Sequence, residues 1–222
     1  MVNLAPPCAF DVDHPAGIKS YPDGVTDWDP FGPPVANVLQ LKVSLDEFEP
    51  TVWRRVLVPE SISLTKVHRV IQELMLWWDY HLHLFTINGV EFGQPEMDDL
   101  GDFEWRNERG VRLSALLQVG DSLAYSYDFG DNWQLTIDVE KVVPVRFALK
   151  YAVCVGGEHA APPEDVGGVG GFSQFLEAIA DPTHDEHDSY VEWSGGDYDF
   201  ERVDLAEINA RLQRVVNASR SA

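Results

Sequence analysis

Cysteines, basic residues and long apolar runs are all scarce in this sequence. Its 222 residues include two cysteines, Cys8 and Cys154, which is too few for a disulfide framework and fits a reducing compartment. No stretch approaches the roughly 18 consecutive apolar residues typical of a membrane span. The N-terminus also lacks the basic start and apolar run of a signal peptide. We therefore expect a cytoplasmic protein with no membrane partner.

Positive charge is equally limited. The 16 Lys and Arg residues face 37 Asp and Glu residues, which gives a formal net charge of −21. A field of this sign repels phosphate backbones, so the charge argues against nucleic acid as a partner. Metal ions and cationic partners suit it better. Apolar residues make up 45% of the chain and aromatic residues 11%, which is ample for a packed core.

Apolar periodicity predicts the main structural elements. Alternation predicts two strands, at 38–45 and 52–58, and helical spacing runs from Leu64 to Trp78. Weaker patterns predict strands at 81–87, 90–92, 122–129 and 133–142, a short turn at 113–117, and helices at 172–180 and from 205 onward. The order predicts an α+β protein with a β-grasp-like mixed sheet, one main crossing helix and C-terminal helices.

Proline and glycine suggest how the chain is divided. Residues 1–36 are rich in Pro, Gly and Asp and predict an irregular arm. Residues 37–222 are expected to form a single α+β domain with a C-terminal helical extension from about residue 144. Within it, the acidic stretch 93–110 and the Gly- and Pro-rich stretch 151–171 predict irregular structure.

A first group of candidate site residues lies around two predicted strands. His81 and His83 are two residues apart, so a strand through both would project two imidazoles from one face, a usable metal pair that needs a third ligand. Equally, these imidazoles could pack under the double tryptophan nearby. Asp128 and Asp131 lie in a turn sequence and could project from the tip of a hairpin into a site.

A second group follows the predicted sheet. Cys154, His159, Glu164 and Asp165 offer thiolate, imidazole and carboxylate donors for a divalent metal, although the adjacent Pro-Pro pair also suits a shaped structural loop. Cys154 with His159 is also the one evident nucleophile–base pairing, but a lone cysteine is usually a small buried side chain. The acidic run with His184 and His187 is either a metal group or a solvated loop.

Several short strings occur together in a recognisable order. They are Trp53-Arg54-Arg55, Trp77-Trp78, His81-Leu82-His83, the segment 127–133, Pro162-Pro163-Glu164-Asp165 with Gly167-Gly168, and an acidic stretch around Asp199. Over residues 37–215 this order resembles the plasmid pRi ORF-three-like family, some members of which carry the label of TnpR-type passenger proteins of insertion elements. The resemblance implies a β-grasp-like α+β core with added helices and no established activity.

The sequence departs from that family pattern at three positions. Many relatives carry cysteine on both sides of Pro-Pro-Glu-Asp and histidine after the hairpin tryptophan, whereas this sequence has Ala161, Val166 and Gln134. The resemblance therefore implies that a metal site built from those side chains would be lost here.

These observations leave three functional hypotheses. The first is a non-enzymatic binding or protein-interaction module, because the sequence contains no assembled catalytic motif. The alternative is a metal-dependent hydrolase-like enzyme that uses a His/Asp/Glu cluster, which requires distant segments to converge in one cleft. A mobile-element-associated nucleic-acid factor rests on the insertion-element label alone and is opposed by the charge of −21.

Overall fold

One eight-stranded sheet organises the chain in this computed structural model, which describes residues 36–94 and 105–218. The strands are β1 Ala36–Leu45, β2 Trp53–Pro59, β3 His83–Ile87, β4 Val90–Gly93, β5 Arg106–Asn107, β6 Ser122–Tyr127, β7 Trp133–Val145 and β8 Val153–Glu158. Their order across the sheet is β5-β4-β3-β6-β7-β1-β2-β8. Neighbouring strands are antiparallel except for β4 and β5, which are parallel.

Four α-helices accompany the sheet: α1 Leu64–Met75, α2 Gly168–Ala180, α3 His187–Trp193 and α4 Leu205–Ala218. The apolar stripe of α1 is fully buried at Leu64, Ile71 and Leu74, because these residues recur at the helical period and face the sheet core. In the described part of the chain, no helix is long and apolar enough to cross a membrane.

The α+β class and most of the predicted elements are confirmed. Asn88 and Gly89 both adopt positive φ angles, 51° and 76°, as the turn between β3 and β4 requires. The Asp204 carboxylate caps the final helix, since the Glu207 N–H donates to Asp204 Oδ1 at 2.9 Å. The β-grasp-like specification stays a prediction. The predicted arm at 1–36 lies outside the described residues apart from Ala36.

Glycines at the start of α2 explain why that helix begins earlier than its pattern predicts. The apolar spacing indicates a helix from Phe172, but α2 begins at Gly168. A Cβ at Gly168 would overlap the carbonyl oxygen of Asp131, and a Cβ at Gly171 would overlap the carbonyl oxygen of Val166. Close backbone packing therefore requires glycine here, and the low intrinsic helix propensity of glycine is overridden by tertiary structure.

Besides the two-residue strand β5, two elements were missed by the sequence patterns. β8 lies in the Gly- and Pro-rich stretch predicted to be irregular, and it forms because it pairs with β2 from about a hundred residues earlier. The short helix α3 lies at the end of the acidic run. The rings of Tyr190 and Trp193 on α3 pack edge-on against Phe175 of α2, at 5.5 and 5.9 Å between centroids. Both elements depend on distant partners.

Helix α4 packs against α1 and β8, and one side chain joins it to the strand. The backbone N–H of Cys154 donates to Asn209 Oδ1 at 2.8 Å, and Asn209 Nδ2 donates to the Cys154 carbonyl oxygen at 2.9 Å. A single amide thus satisfies both main-chain groups of one residue in β8.

Candidate metal centre

Hydrogen bonds join three loops beside the sheet. The tryptophan loop (76–82) precedes β3, the hairpin turn (128–132) joins β6 to β7, and the Pro-Pro-Glu-Asp loop (159–167) connects β8 to α2. Trp77 Nε1 donates to the Pro162 carbonyl at 3.0 Å, and the Gly167 N–H donates to Asp131 Oδ2 at 2.9 Å. Segments more than 80 residues apart in sequence are therefore held next to one another.

Each of the three loops contributes one metal-ligating side chain to a common point. His81 Nε2 lies 2.9 Å from Asp165 Oδ1 and 3.7 Å from Asp128 Oδ2. One donor atom from each of these residues lies within 4.8 Å of the other two, and this is the one such group found among the described residues. We call His81, Asp128 and Asp165 the triad.

The backbone conformation directs the two carboxylates of the triad. Asp128 and Asp165 both have left-handed φ angles, 53° and 62°, which residues other than glycine adopt infrequently. Asp128 Oδ1 accepts the Gly130 N–H at 2.9 Å, which leaves Oδ2 on the side of His81. Such conformations concentrate at functional sites because the surrounding structure has to maintain them.

The buried hydroxyl of Tyr127 holds the loops in position. Its oxygen accepts the N–H groups of Tyr80, at 3.1 Å, and His81, at 3.4 Å, and its proton is donated to Glu164 through a short hydrogen bond. The Tyr127 ring stacks on Trp77 at 4.9 Å. Burial, together with the Glu164 carboxylate, raises the pKa of Tyr127, so the phenol stays protonated and remains a donor.

Glu164, another of the candidate residues, has a positioning role in this arrangement. One carboxylate oxygen accepts the Tyr127 hydroxyl proton, and the other accepts the Trp78 N–H at 2.7 Å. Both oxygens of Glu164 are thus occupied, and its charge lies beside Asp165. Asp131 likewise serves the loop structure through its bond to Gly167.

His83 does not join the triad, contrary to the expectation of two imidazoles on one strand face. β3 begins at His83, and His81 lies in the preceding loop, so strand alternation does not relate the two side chains. The His83 side chain is buried, and its Nε2 lies 2.8 Å from Oε2 of the fully buried Glu108. Glu108 falls in the stretch predicted to be irregular, and no sequence signal indicated this pairing.

A second buried histidine was also missed by the sequence patterns. The His68 ring stacks on His83 with centroids 3.5 Å apart. Its Nε2 lies 2.8 Å from Asp79 Oδ1, and its Nδ1 lies 2.7 Å from the Tyr125 hydroxyl. Burial lowers the pKa of His68, so the ring is neutral and donates from Nε2 to Asp79 while Nδ1 accepts from Tyr125. The available signal was a histidine on the apolar stripe of α1.

The predicted nucleophile and base have other contacts in the structure. Cys154 is buried in β8, and burial raises the pKa of its thiol, which opposes formation of a reactive thiolate. His159 instead stacks on Phe200 with centroids 4.6 Å apart and lies near Glu201. Neither residue belongs to the triad.

The remaining histidines of the acidic run form local contacts. His187 Nδ1 lies 2.8 Å from the Ala178 carbonyl, and His184 Nδ1 accepts the Glu186 N–H at 3.1 Å. At the positions that depart from the family pattern, Gln134 accepts a hydrogen bond from Ser126, and Ala161 and Val166 are buried. The triad uses none of these residues.

The fold and the triad define an α+β protein with a mostly antiparallel sheet and a loop-borne imidazole–carboxylate cluster. The chain belongs to the plasmid pRiA4b ORF-3-like family, whose model matches residues 37–207, and the resemblance in the sequence is thereby confirmed. It is 40% identical over 177 residues to uncharacterized protein y4hQ of Sinorhizobium fredii (strain NBRC 101917 / NGR234), covering 79% of this chain and 90% of that protein.

A solved relative has a similar fold. The crystal structure of MM3350 from Methanosarcina mazei Go1, described as a protein of unknown function, matches with a TM-score of 0.69 and 35% sequence identity. The match covers 78% of this chain and 97% of that one. These relatives are named as uncharacterised or of unknown function, so the site geometry has to carry any functional conclusion.

Proposed function

We propose that this protein is a binding module whose recognition site is centred on a divalent metal ion held by His81, Asp128 and Asp165. The observation that carries the proposal is the convergence of three donor atoms, from segments 37 to 84 residues apart in sequence, within 4.8 Å. An ordinary surface ion pair consists of two residues. Here a second carboxylate, that of Asp128, also faces the His81 imidazole, and the left-handed φ angle of Asp128 directs it there.

The donor set determines which metals suit the site. One imidazole nitrogen and two carboxylate oxygens are ligands for zinc, manganese or ferrous iron. Three protein ligands leave coordination positions for a further group, as open metal sites require. A chain with net charge −21 also favours the approach of a cation.

A metal-dependent hydrolase is the second candidate function. The observation that favours it is the position of Glu164 and Tyr127 directly beside the triad. However, both carboxylate oxygens of Glu164 already accept hydrogen bonds that hold the loops, so we assign Glu164 a positioning role rather than that of a general base. This occupancy places the binding module ahead of the enzyme.

The location, the domain organisation and the finer fold expected from the sequence are also part of our proposal. We propose a cytoplasmic protein with an irregular arm at 1–36, one domain at 37–222 with a C-terminal helical extension from about 144, and a β-grasp-like core. The ligand of the module is proposed to be a protein or a small molecule rather than nucleic acid, since the negative net charge of the chain repels a polyanion.

The test is metal binding by the full chain and by single variants. Elemental mass spectrometry of protein loaded in turn with Zn²⁺, Mn²⁺ and Fe²⁺, followed by titration calorimetry, is expected to show one ion per chain. His81→Ala and Asp128→Asn should each weaken binding by at least about 100-fold, since loss of even an outer-shell partner typically costs 10- to 100-fold. His184→Ala, which removes an exposed imidazole away from the triad, should change nothing.

Two results would overturn the proposal. One is the absence of stoichiometric binding of any of the three ions by natively folded protein, which would leave the triad as an imidazole–carboxylate hydrogen-bond cluster. The other is equal binding by Asp128→Asn and the unchanged chain, which would place the ion elsewhere. Circular dichroism of each variant separates loss of a ligand from loss of the fold.

A further inference from the structure

A pocket of about 450 Å³ lies against the Pro-Pro-Glu-Asp loop and shares Asp165 with the triad. Its wall combines aromatic rings with carboxylates: Trp78, Tyr80, Trp193, Tyr198, Glu164 and Asp165. We call it the aromatic pocket. Three of its rings are unusually exposed for their size, at 63% for Trp78, 73% for Tyr80 and 49% for Trp193. Large exposed aromatics gathered in one hollow indicate a binding surface.

The aromatic pocket is pre-formed by contacts that hold its walls. The Trp78 backbone N–H is bonded to Glu164, and the Tyr198 hydroxyl donates to the Ala161 carbonyl at 3.2 Å. The Trp193 ring packs edge-on against Phe175. A ligand therefore meets the Tyr198 and Trp193 rings and the Glu164 carboxylate already in place, which reduces the entropy lost on binding.

The electrostatics of the pocket favour a cation. Its described lining residues include two carboxylates and neither lysine nor arginine, and both carboxylates lie on the same loop as two rigid prolines. The faces of aromatic rings are negative and attract cations, tryptophan most strongly. The Trp78 ring already attracts one, because the Arg211 guanidinium lies 5.3 Å from its centroid. An anionic ligand would meet like charge from Glu164 and Asp165.

We propose that the aromatic pocket binds an organic cation, either a quaternary ammonium group or the charged end of a basic side chain. This inference shares with the proposed function only the residue Asp165, which belongs to both sites. Both kinds of ligand present a positive charge bordered by apolar groups, whether the ligand is a free small molecule or part of a peptide.

The primary experiment compares a cation with its neutral isostere. Titration calorimetry with choline and with 3,3-dimethylbutan-1-ol, which replaces the charged nitrogen by carbon, is expected to show choline binding at least about ten-fold more tightly. Raising the salt concentration should weaken choline binding, because the pocket is open to solvent. Acetylated tripeptide amides with central lysine, trimethyl-lysine or arginine then distinguish a free cation from a peptide side chain.

Matched variants locate the binding. Tyr80→Ala and Trp193→Ala should each weaken choline binding by roughly 2- to 30-fold, the range expected from the loss of one cation–aromatic contact. Phe147→Ala removes a ring that is 79% exposed outside the pocket and should have no effect. Because the Tyr80 side chain is mostly exposed, its truncation is expected to leave the fold intact.

The outcomes separate this inference from the proposed metal centre. Asp128→Asn removes a triad ligand that does not line the pocket, so choline binding by that variant supports the pocket even if the metal proposal fails. Equal affinity for the cation and its isostere would overturn the inference, since the pocket would then recognise shape alone. Absence of binding by choline and by all three peptides at millimolar concentration would also overturn it.

Discussion

Removal of the Tyr127 hydroxyl is the sharpest test of how the metal centre is assembled. Tyr127→Phe keeps the ring that stacks on Trp77 but deletes the oxygen that contacts Tyr80, His81 and Glu164. The bond to the Glu164 carboxylate is charge-assisted, and such bonds contribute about 1.5–3 kcal/mol. The N–H contact from His81 is long, at 3.4 Å, and both N–H contacts are only partly buried, so water can replace part of them. We expect the free energy of unfolding to fall by about 1–3 kcal/mol in total.

The loss of metal affinity should be similar in free energy to the loss of stability, since each tenfold change in affinity corresponds to about 1.4 kcal/mol. Without the hydroxyl, the backbone at His81 loses its contact with Tyr127, and the Glu164 carboxylate keeps only its bond from the Trp78 N–H. Loss of such an outer partner weakens metal binding by about 10- to 100-fold. Urea unfolding and zinc calorimetry measure the two quantities separately.

The matched control is another tyrosine. Tyr198→Phe removes a hydroxyl that is bonded to the carbonyl oxygens of Ala160 and Ala161 and that does not contact the triad. It should lower stability slightly and leave zinc affinity unchanged. If Tyr127→Phe binds zinc within two-fold of the unchanged chain, the hydroxyl does not organise the ligands, and the reasoning about the three loops fails.

Two further predictions concern stability. Burial lowers the pKa of His68 in the folded chain below the value of about 6.5 expected in the unfolded chain. The unfolded chain therefore takes up the proton first as the pH falls. Stability is retained above about pH 6.5 and decreases on acidification by up to about 1.4 kcal/mol per pH unit. Urea titrations at pH 7.5 and 5.5 should show this loss, and His68→Gln should make it smaller. Gly171→Ala should lower the melting temperature, because its Cβ would overlap the Val166 carbonyl. Gly170→Ala, where a Cβ meets nothing within 4 Å, should raise it by removing backbone freedom worth about 0.5–1 kcal/mol; the reverse order would contradict the packing argument.

Local patterns predicted those parts of the fold that local physics determines. The apolar stripe of α1 and the Asn88-Gly89 turn follow from the periods of helix and hairpin, and both are confirmed. β8 could not be predicted in this way, because its sequence contains two glycines and its formation depends on pairing with β2. The same holds for the start of α2, where three of the first four residues are glycines.

The candidate site was predictable in its residue types but not in its grouping. Histidine and aspartate side chains next to turns at His81, Asp128 and Asp165 were identifiable as metal donors. Which of them converge depends on how three loops pack, and strand alternation wrongly related His81 to His83. The partner of His83, Glu108, lies in an acidic stretch where nothing in the sequence distinguishes a fully buried carboxylate from a solvated one.

The amide of Asn209 has a consequence for how the protein behaves at high concentration. β8 is the outermost strand on its side of the sheet, and unpaired outer strands are templates on which other chains can add. Asn209 offers Cys154 the same donor and acceptor that a ninth strand would offer. An incoming chain has to displace α4 before it can extend the sheet at this residue. Aggregation through β8 should therefore require detachment of the C-terminal helix.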